Sequence, residues 1–98
     1  MREIRWNQLK SQRLKRTRGV SFEEILQAEF LGIRKHPSRS DQRVYIFDYK
    51  GYVWAVPFVV AENHIFLKTL YRSRKDMKLF KRRVENEKDE TNQTGTMD

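Results

Sequence analysis

Arg16 and Arg18 stand just before a helix start at Ser21, and Arg72, Arg74 and Lys75 stand just after a β-rich run. A guanidinium is a planar fork of donors that can hold a phosphate at two oxygens at once. RNA carries its own nucleophile, the 2′-hydroxyl. A protein that holds the phosphate in line and neutralises developing charge can promote cleavage by orientation and electrostatics. Ser73 heads a predicted helix whose free N–H groups also suit a phosphate. Trp6, Tyr52, Trp54 and Tyr71 are candidate platforms for unpaired bases, although Trp54 and most strand aromatics are equally expected in a core.

Other chemistries are poorly served. The sequence has no G-x-x-x-x-G-K-S/T loop, no G-x-G-x-x-G and no H-E-x-x-H. His36 and His64 fall in predicted loops without enough ligands nearby for zinc, and there is no cysteine. No metal and no cofactor are expected. Glu23 and Glu24 are accounted for by the positive end of a helix dipole.

The charge is unevenly placed. Residues 1–83 carry 20 Lys and Arg against 8 Asp and Glu, whereas residues 84–98 carry one Lys against five acidic residues. A compact body with that cationic excess calls for an anionic partner, with nucleic acid first and an acidic protein second. The expected organisation is one domain over residues 1–83 and an acidic, disordered tail over 84–98. The opening MREIRWNQ has no apolar leader segment, and no apolar run is long enough to cross a bilayer. A cytoplasmic protein with no membrane contact is the expectation.

The elements that must position these residues follow from local signals. Helical spacing predicts a first helix over 6–17, carrying Trp6, Leu9, Arg13 and Leu14, with the stems of Lys10 and Arg13 along a core edge. Ser21 and Glu24 form an S-x-x-E capping box, with Val20 and Ile25 as its hydrophobic staple. A second helix is predicted over 22–31, ended by Gly32, and residues 33–41 read as a loop. Two β-rich runs around Lys50–Gly51 predict a hairpin. Pro57 places its strand at an edge or at a bulge. A third strand is predicted over 65–72, followed by a helix capped by Ser73 with Met77 and Phe80 facing inward. The fold class is α+β: N-terminal helices on one face of a three- to four-stranded antiparallel sheet, with a C-terminal helix.

Trp6, Asn7 and Lys10, followed by Thr17-Arg18-Gly19-Val20-Ser21-Phe22-Glu23-Glu24-Ile25, resemble the BrnT family, toxins of bacterial type II toxin–antitoxin systems. Its members open with a W-D-x-x-K-like stretch and continue to K-H-G-V-S-F-E-E-A. Arg72-Ser73-Arg74-Lys75 is similar to the family's closing S-A-R-K. The resemblance implies a RelE-like fold and a ribonuclease that cleaves RNA by metal-independent transesterification and inhibits translation. It implies a ribbon-helix-helix antitoxin as partner, with operator DNA contacted only through the toxin–antitoxin complex. A homodimer and a heterotetramer both remain open. It points to Trp6, Lys10, Arg18, Arg74 and Lys75. Together with the residue chemistry, the expected catalytic group is Arg18, Tyr71, Arg74 and Lys75, and the substrate-binding group is Trp6, Lys10, Arg16 and Arg72. Where the family has Lys-His, this chain has Thr17-Arg18. A guanidinium binds phosphate or stabilises charge but does not shuttle protons at neutral pH, so the chain would be a weaker nuclease, use another acid such as Tyr71, or not cleave at all. The alternative is a non-catalytic basic module that binds nucleic acid beside a partner protein.

Overall fold

The computed structural model describes residues 2–81. The predicted acidic tail, and the domain boundary before it, lie outside the described residues. The elements in chain order are β1 (Glu3–Arg5), α1 (Gln8–Arg18), α2 (Phe22–Ile25), β2 (Glu29–Lys35), β3 (Gln42–Tyr49), β4 (Tyr52–Val60), β5 (His64–Leu67), β6 (Tyr71–Arg72) and α3 (Arg74–Asp76). A single wider, π-type turn over Met77–Lys81 continues α3. Among the described residues, no helix is long and apolar enough to cross a membrane.

The centre is the β3–β4 hairpin. Lys50 and Gly51 both take positive φ, 52° and 81°, the geometry of a tight turn whose twist matches the strands it joins. Strand alternation then sorts the side chains to two faces. Phe47, Trp54, Val56 and Phe58 meet Leu14, Phe22 and Ile25 from the N-terminal helices and Val20 from the link between them. Val44, Ile46, Val53 and Ala55 meet Leu31, Tyr71, Met77 and Phe80 on the other face. The α+β class and the inward Met77 and Phe80 are as expected. The helices, however, cover both faces of the sheet, because α3 crosses behind it.

The sheet is larger than expected and mixed. Its order is β1-β5-β4-β3-β2, with β6 also on β4. β1 runs parallel to β5, with Ile4 opposite Ile65, and the remaining pairs are antiparallel. Six strands therefore replace the predicted three or four. The predicted third strand is two pieces, β5 and β6, on either side of residues 68–70. Pro57 explains that break. It lies in the middle of the sheet, buried and opposite Val44, not at an edge. β5 pairs with Phe58–Val60 and β6 with Trp54–Ala55, so the ladder pauses opposite the residue that has no N–H to give. The Pro57 carbonyl still accepts from Lys68 N–H at 2.8 Å.

The predicted long second helix is the largest correction. The capping box forms as expected, with Ser21 Oγ accepting from Glu24 N–H and Glu24 reaching back to Ser21 N–H. The helix stops at Ile25, and Glu29–Lys35 pairs along β3 instead. Phe30 sits edge-on to both Tyr45 and Phe47, at 5.9 and 5.7 Å between centroids. These long-range contacts override a local helix preference. Gly32 is accordingly no helix cap. It lies at an irregularity in β2, and a Cβ there would stand 2.8 Å from the Phe80 ring. The glycine that does end a helix is Gly19, at φ 81° after α1.

Candidate nucleic-acid interface

α1 carries the first half of the basic surface. Asn7 caps it, its side chain accepting from Lys10 N–H. Ser11 and Leu14 are the buried residues of the helix. Ser11 Oγ donates to Glu23 Oε1 at 2.6 Å and accepts from Phe22 N–H at 3.0 Å, which locks α1 to α2. Leu9, expected in the apolar stripe, is 72% exposed. With that side of α1 fixed inward, Lys10, Arg13 and Arg18 converge with Lys68 from the segment after β5. Partial burial, and then the charges of Lys68, Arg13 and Arg18, lower the pKa of Lys10 below its usual value. Arg18 donates to the Leu70 carbonyl, so its guanidinium lies over the link between β5 and β6.

β6 carries the second half. Its two residues point to opposite faces: Arg72 lies beside Trp54 and Tyr71 beside Ala55. The Arg72 guanidinium is 4.7 Å from the centroid of the Tyr52 ring, a cation–π contact. Tyr52, Val53, Arg72, Ser73, Arg74 and Met77 line a cavity of about 420 Å³ where β4 begins and α3 starts. That volume is in the range of small-ligand sites. Leu70, whose carbonyl Arg18 holds, precedes Arg72 by two residues, so the chain itself links the α1 cations to those of the cavity.

The expected site residues divide as follows. Lys10 and Arg18 meet in the α1 group, and Arg72 and Arg74 at the cavity. Arg16 is exposed on the last turn of α1. Lys75 is exposed on α3, outside the cavity lining, and its charge helps to keep Asp76 ionised. Tyr71 faces the opposite side of the sheet, near Arg34. Trp6 packs on Phe22, with ring centroids 6.2 Å apart, and its indole bonds toward Glu23. Arg13, read from the sequence as lying along a core edge, is an exposed member of the cationic group. Lys68 completes the group, and no sequence signal marks it. Tyr52 had one: an aromatic residue directly after the hairpin turn, 47% exposed in the fold.

The carboxylates near α1 are committed elsewhere. A hydrogen bond from Lys15, then those from Ser21, hold Glu24 down at about 2. Ser11 lowers Glu23 in the same way. On the far face, burial disfavours ionisation of Asp76, but Arg34 and Ser73 outweigh it and keep its pKa below normal. Arg34 clasps Asp76 through two bonds of 2.6 and 2.7 Å, and Ser73 Oγ donates a third at 2.6 Å. This set ties α3 to β2. Among the described residues, no group of three His, Asp or Glu stands together in a way that suits a metal ion.

No family model matches the sequence, and no curated protein matches it. Among solved structures, the fold is similar to that of the ribonuclease toxin BrnT of Brucella abortus. The match has a TM-score of 0.50 and 20% sequence identity, and covers 74% of this chain and 97% of that one. The chain has the BrnT-like toxin fold.

Proposed function

We propose that this protein is the toxin of a type II toxin–antitoxin pair and acts as an endoribonuclease that blocks translation. The observation that carries the reading is the presence of two cationic groups, Lys10, Arg18 and Lys68 on the α1 face and Arg72 and Arg74 at the cavity, joined where Arg18 holds the Leu70 carbonyl two residues before Arg72; we read them as one strip. Its α+β frame is like that of a protein named a ribonuclease toxin. RNA lies along the strip with one base against Tyr52, whose outer ring face is the natural stacking surface. Arg18, Arg72 and Arg74 hold the scissile phosphate. Lys10, with its pKa lowered by burial and three cationic neighbours, takes the proton from the 2′-hydroxyl. That oxygen attacks phosphorus, the bond to the 5′-oxygen breaks, and a proton returns to the leaving oxygen. The products are a 2′,3′-cyclic phosphate and a 5′-hydroxyl. No metal enters this scheme. A cognate antitoxin neutralises the protein by laying acidic side chains on the same strip.

One observation favours the rival reading of a binding module without catalysis. Neither histidine is on the strip: His36 lies in the β2–β3 loop and His64 opens β5. Cleavage of a defined single-stranded RNA in EDTA decides between the two. The expected result is a ladder of 2′,3′-cyclic phosphate ends from wild type. Lys10→Met should slow cleavage by about 100-fold or more while RNA binding persists. Arg72→Gln with Arg74→Gln should weaken both. Binding by wild type without cleavage, with or without divalent ions, would replace the nuclease by the binding module.

A further inference from the structure

The loop between β2 and β3 gathers a second set of cations, away from the α1 face. Lys35 ends β2, and Arg43 lies directly opposite it on β3. Like charges paired across a ladder are destabilising unless something offsets them. Together with His36 and Arg39 they line a cavity of about 410 Å³. Among the described residues, the ion pairs join Arg5 to Glu3, Lys15 to Glu24 and Arg34 to Asp76. Lys35, Arg39 and Arg43 thus have no carboxylate partner there, although Asp41 is in the same loop. Arg34, next door, is fully matched by Asp76.

The loop has a fixed shape. His36 Nδ1 accepts from both Ser38 N–H and Arg39 N–H, each at 3.1 Å. His36 N–H donates to the Gln42 carbonyl at 3.3 Å, and Gln42 N–H to the Arg39 carbonyl at 3.1 Å. An imidazole that accepts at Nδ1 carries its proton on Nε2. The cationic rim therefore offers two guanidinium forks, one ammonium and one imidazole N–H, all donors. We propose that this cavity binds a phosphate group, as a site separate from the α1-face strip.

Its place suggests where the phosphate comes from. Gln42 pairs with Val59 and Tyr49 with Tyr52, so the loop is at the far end of β4 from the Tyr52 cavity. Seven residue steps of strand separate the two, about 23 Å. A free phosphate or a mononucleotide reaches only one of them, whereas a polynucleotide spans both. The proposal needs phosphate binding alone and does not depend on RNA cleavage.

The test follows the backbone amide resonances of residues 38–43 during titration with inorganic phosphate, and separately with a short single-stranded oligouridylate. Saturable shifts with phosphate are expected in wild type and in the Arg72→Gln, Arg74→Gln variant. They should vanish in Lys35→Gln with Arg43→Gln. Arg39→Gln lies outside both strands and should weaken binding too, which covers any loss of stability in the strand variant. If the source is a polynucleotide, removing Lys35 and Arg43 weakens oligouridylate binding about tenfold and lowers its salt slope by about 0.7. If phosphate binds and oligouridylate affinity is unchanged, the site holds and its ligand is free phosphate or a monoester. The proposal is overturned if neither probe shifts these amides. It is equally overturned if a Glu-rich peptide shifts them while phosphate does not, which would make the loop a protein-binding surface.

Discussion

Lys10 and Asp76 illustrate opposite uses of a charge. Lys10 is partly buried and sits among like charges, and both disfavour its charged form. Asp76 is fully buried but receives three strong hydrogen bonds, so its ionised form persists. Replacing Asp76 with alanine should cost about 3–5 kcal/mol, because Arg34 is left partly buried without its partner. Arg34→Met combined with Asp76→Leu should recover most of that loss. The pH dependence has a definite sign. Asp76 is depressed from its ordinary 3.8 in the folded protein, so its contribution is complete above that value. It is lost as pH falls below 3.8 toward the lower, folded value. Chemical denaturation from neutral pH downward should show this component in wild type and lack it in the double variant.

At the scale of elements, β2 and α3 depend on each other. α3 and its π-type turn place Phe80 against β2 at Gly32, while Arg34 on the same strand holds Asp76. Gly32→Ala puts a methyl where the Phe80 ring edge stands, so the ring must move or the turn must lift. The expected cost is about 1–3 kcal/mol, measured by urea denaturation. In a Phe80→Ala background the same substitution should cost much less, because the two residues share one contact. Equal costs in both backgrounds would mean that Gly32 is kept for the irregularity of its strand. The capping box shows the contrasting case. Ser21 and Glu24 act within one turn and need no distant partner.

For the whole molecule, the cationic excess of residues 1–83 is distributed over distinct places. Lys10, Arg13, Arg18 and Lys68 form one group, Arg72 and Arg74 another, and Lys35, Arg39 and Arg43 a third. Binding to single-stranded RNA should therefore weaken steeply with salt. Each phosphate neutralised contributes about 0.7 to the slope of log K against log salt. Arg72→Gln with Arg74→Gln should reduce that slope by about 0.7, and a stability variant such as Gly32→Ala should leave it unchanged. An unaltered slope in the arginine variant would move the interface away from the cavity.

Features that depend on near neighbours can be read from the residues alone. The Ser21–Glu24 box, the β3–β4 hairpin with its Lys50–Gly51 turn, the Ser73 cap and the inward Met77 and Phe80 were all legible, because each is decided within a few residues. The uneven charge was legible too, since it needs only counting. Tertiary structure decided what depends on distant partners. Glu29–Lys35 became a strand because β3 offered aromatic rings and a ladder. Residues 65–72 split because Pro57 of another strand has no N–H. Tyr71 and Arg72 are neighbours in sequence, yet strand alternation sends them to opposite faces. Lys68 joined Lys10 because the parallel β1–β5 pairing and the α1–α2 lock bring segments 58 residues apart to one surface. Nothing in the composition of either segment encodes that meeting.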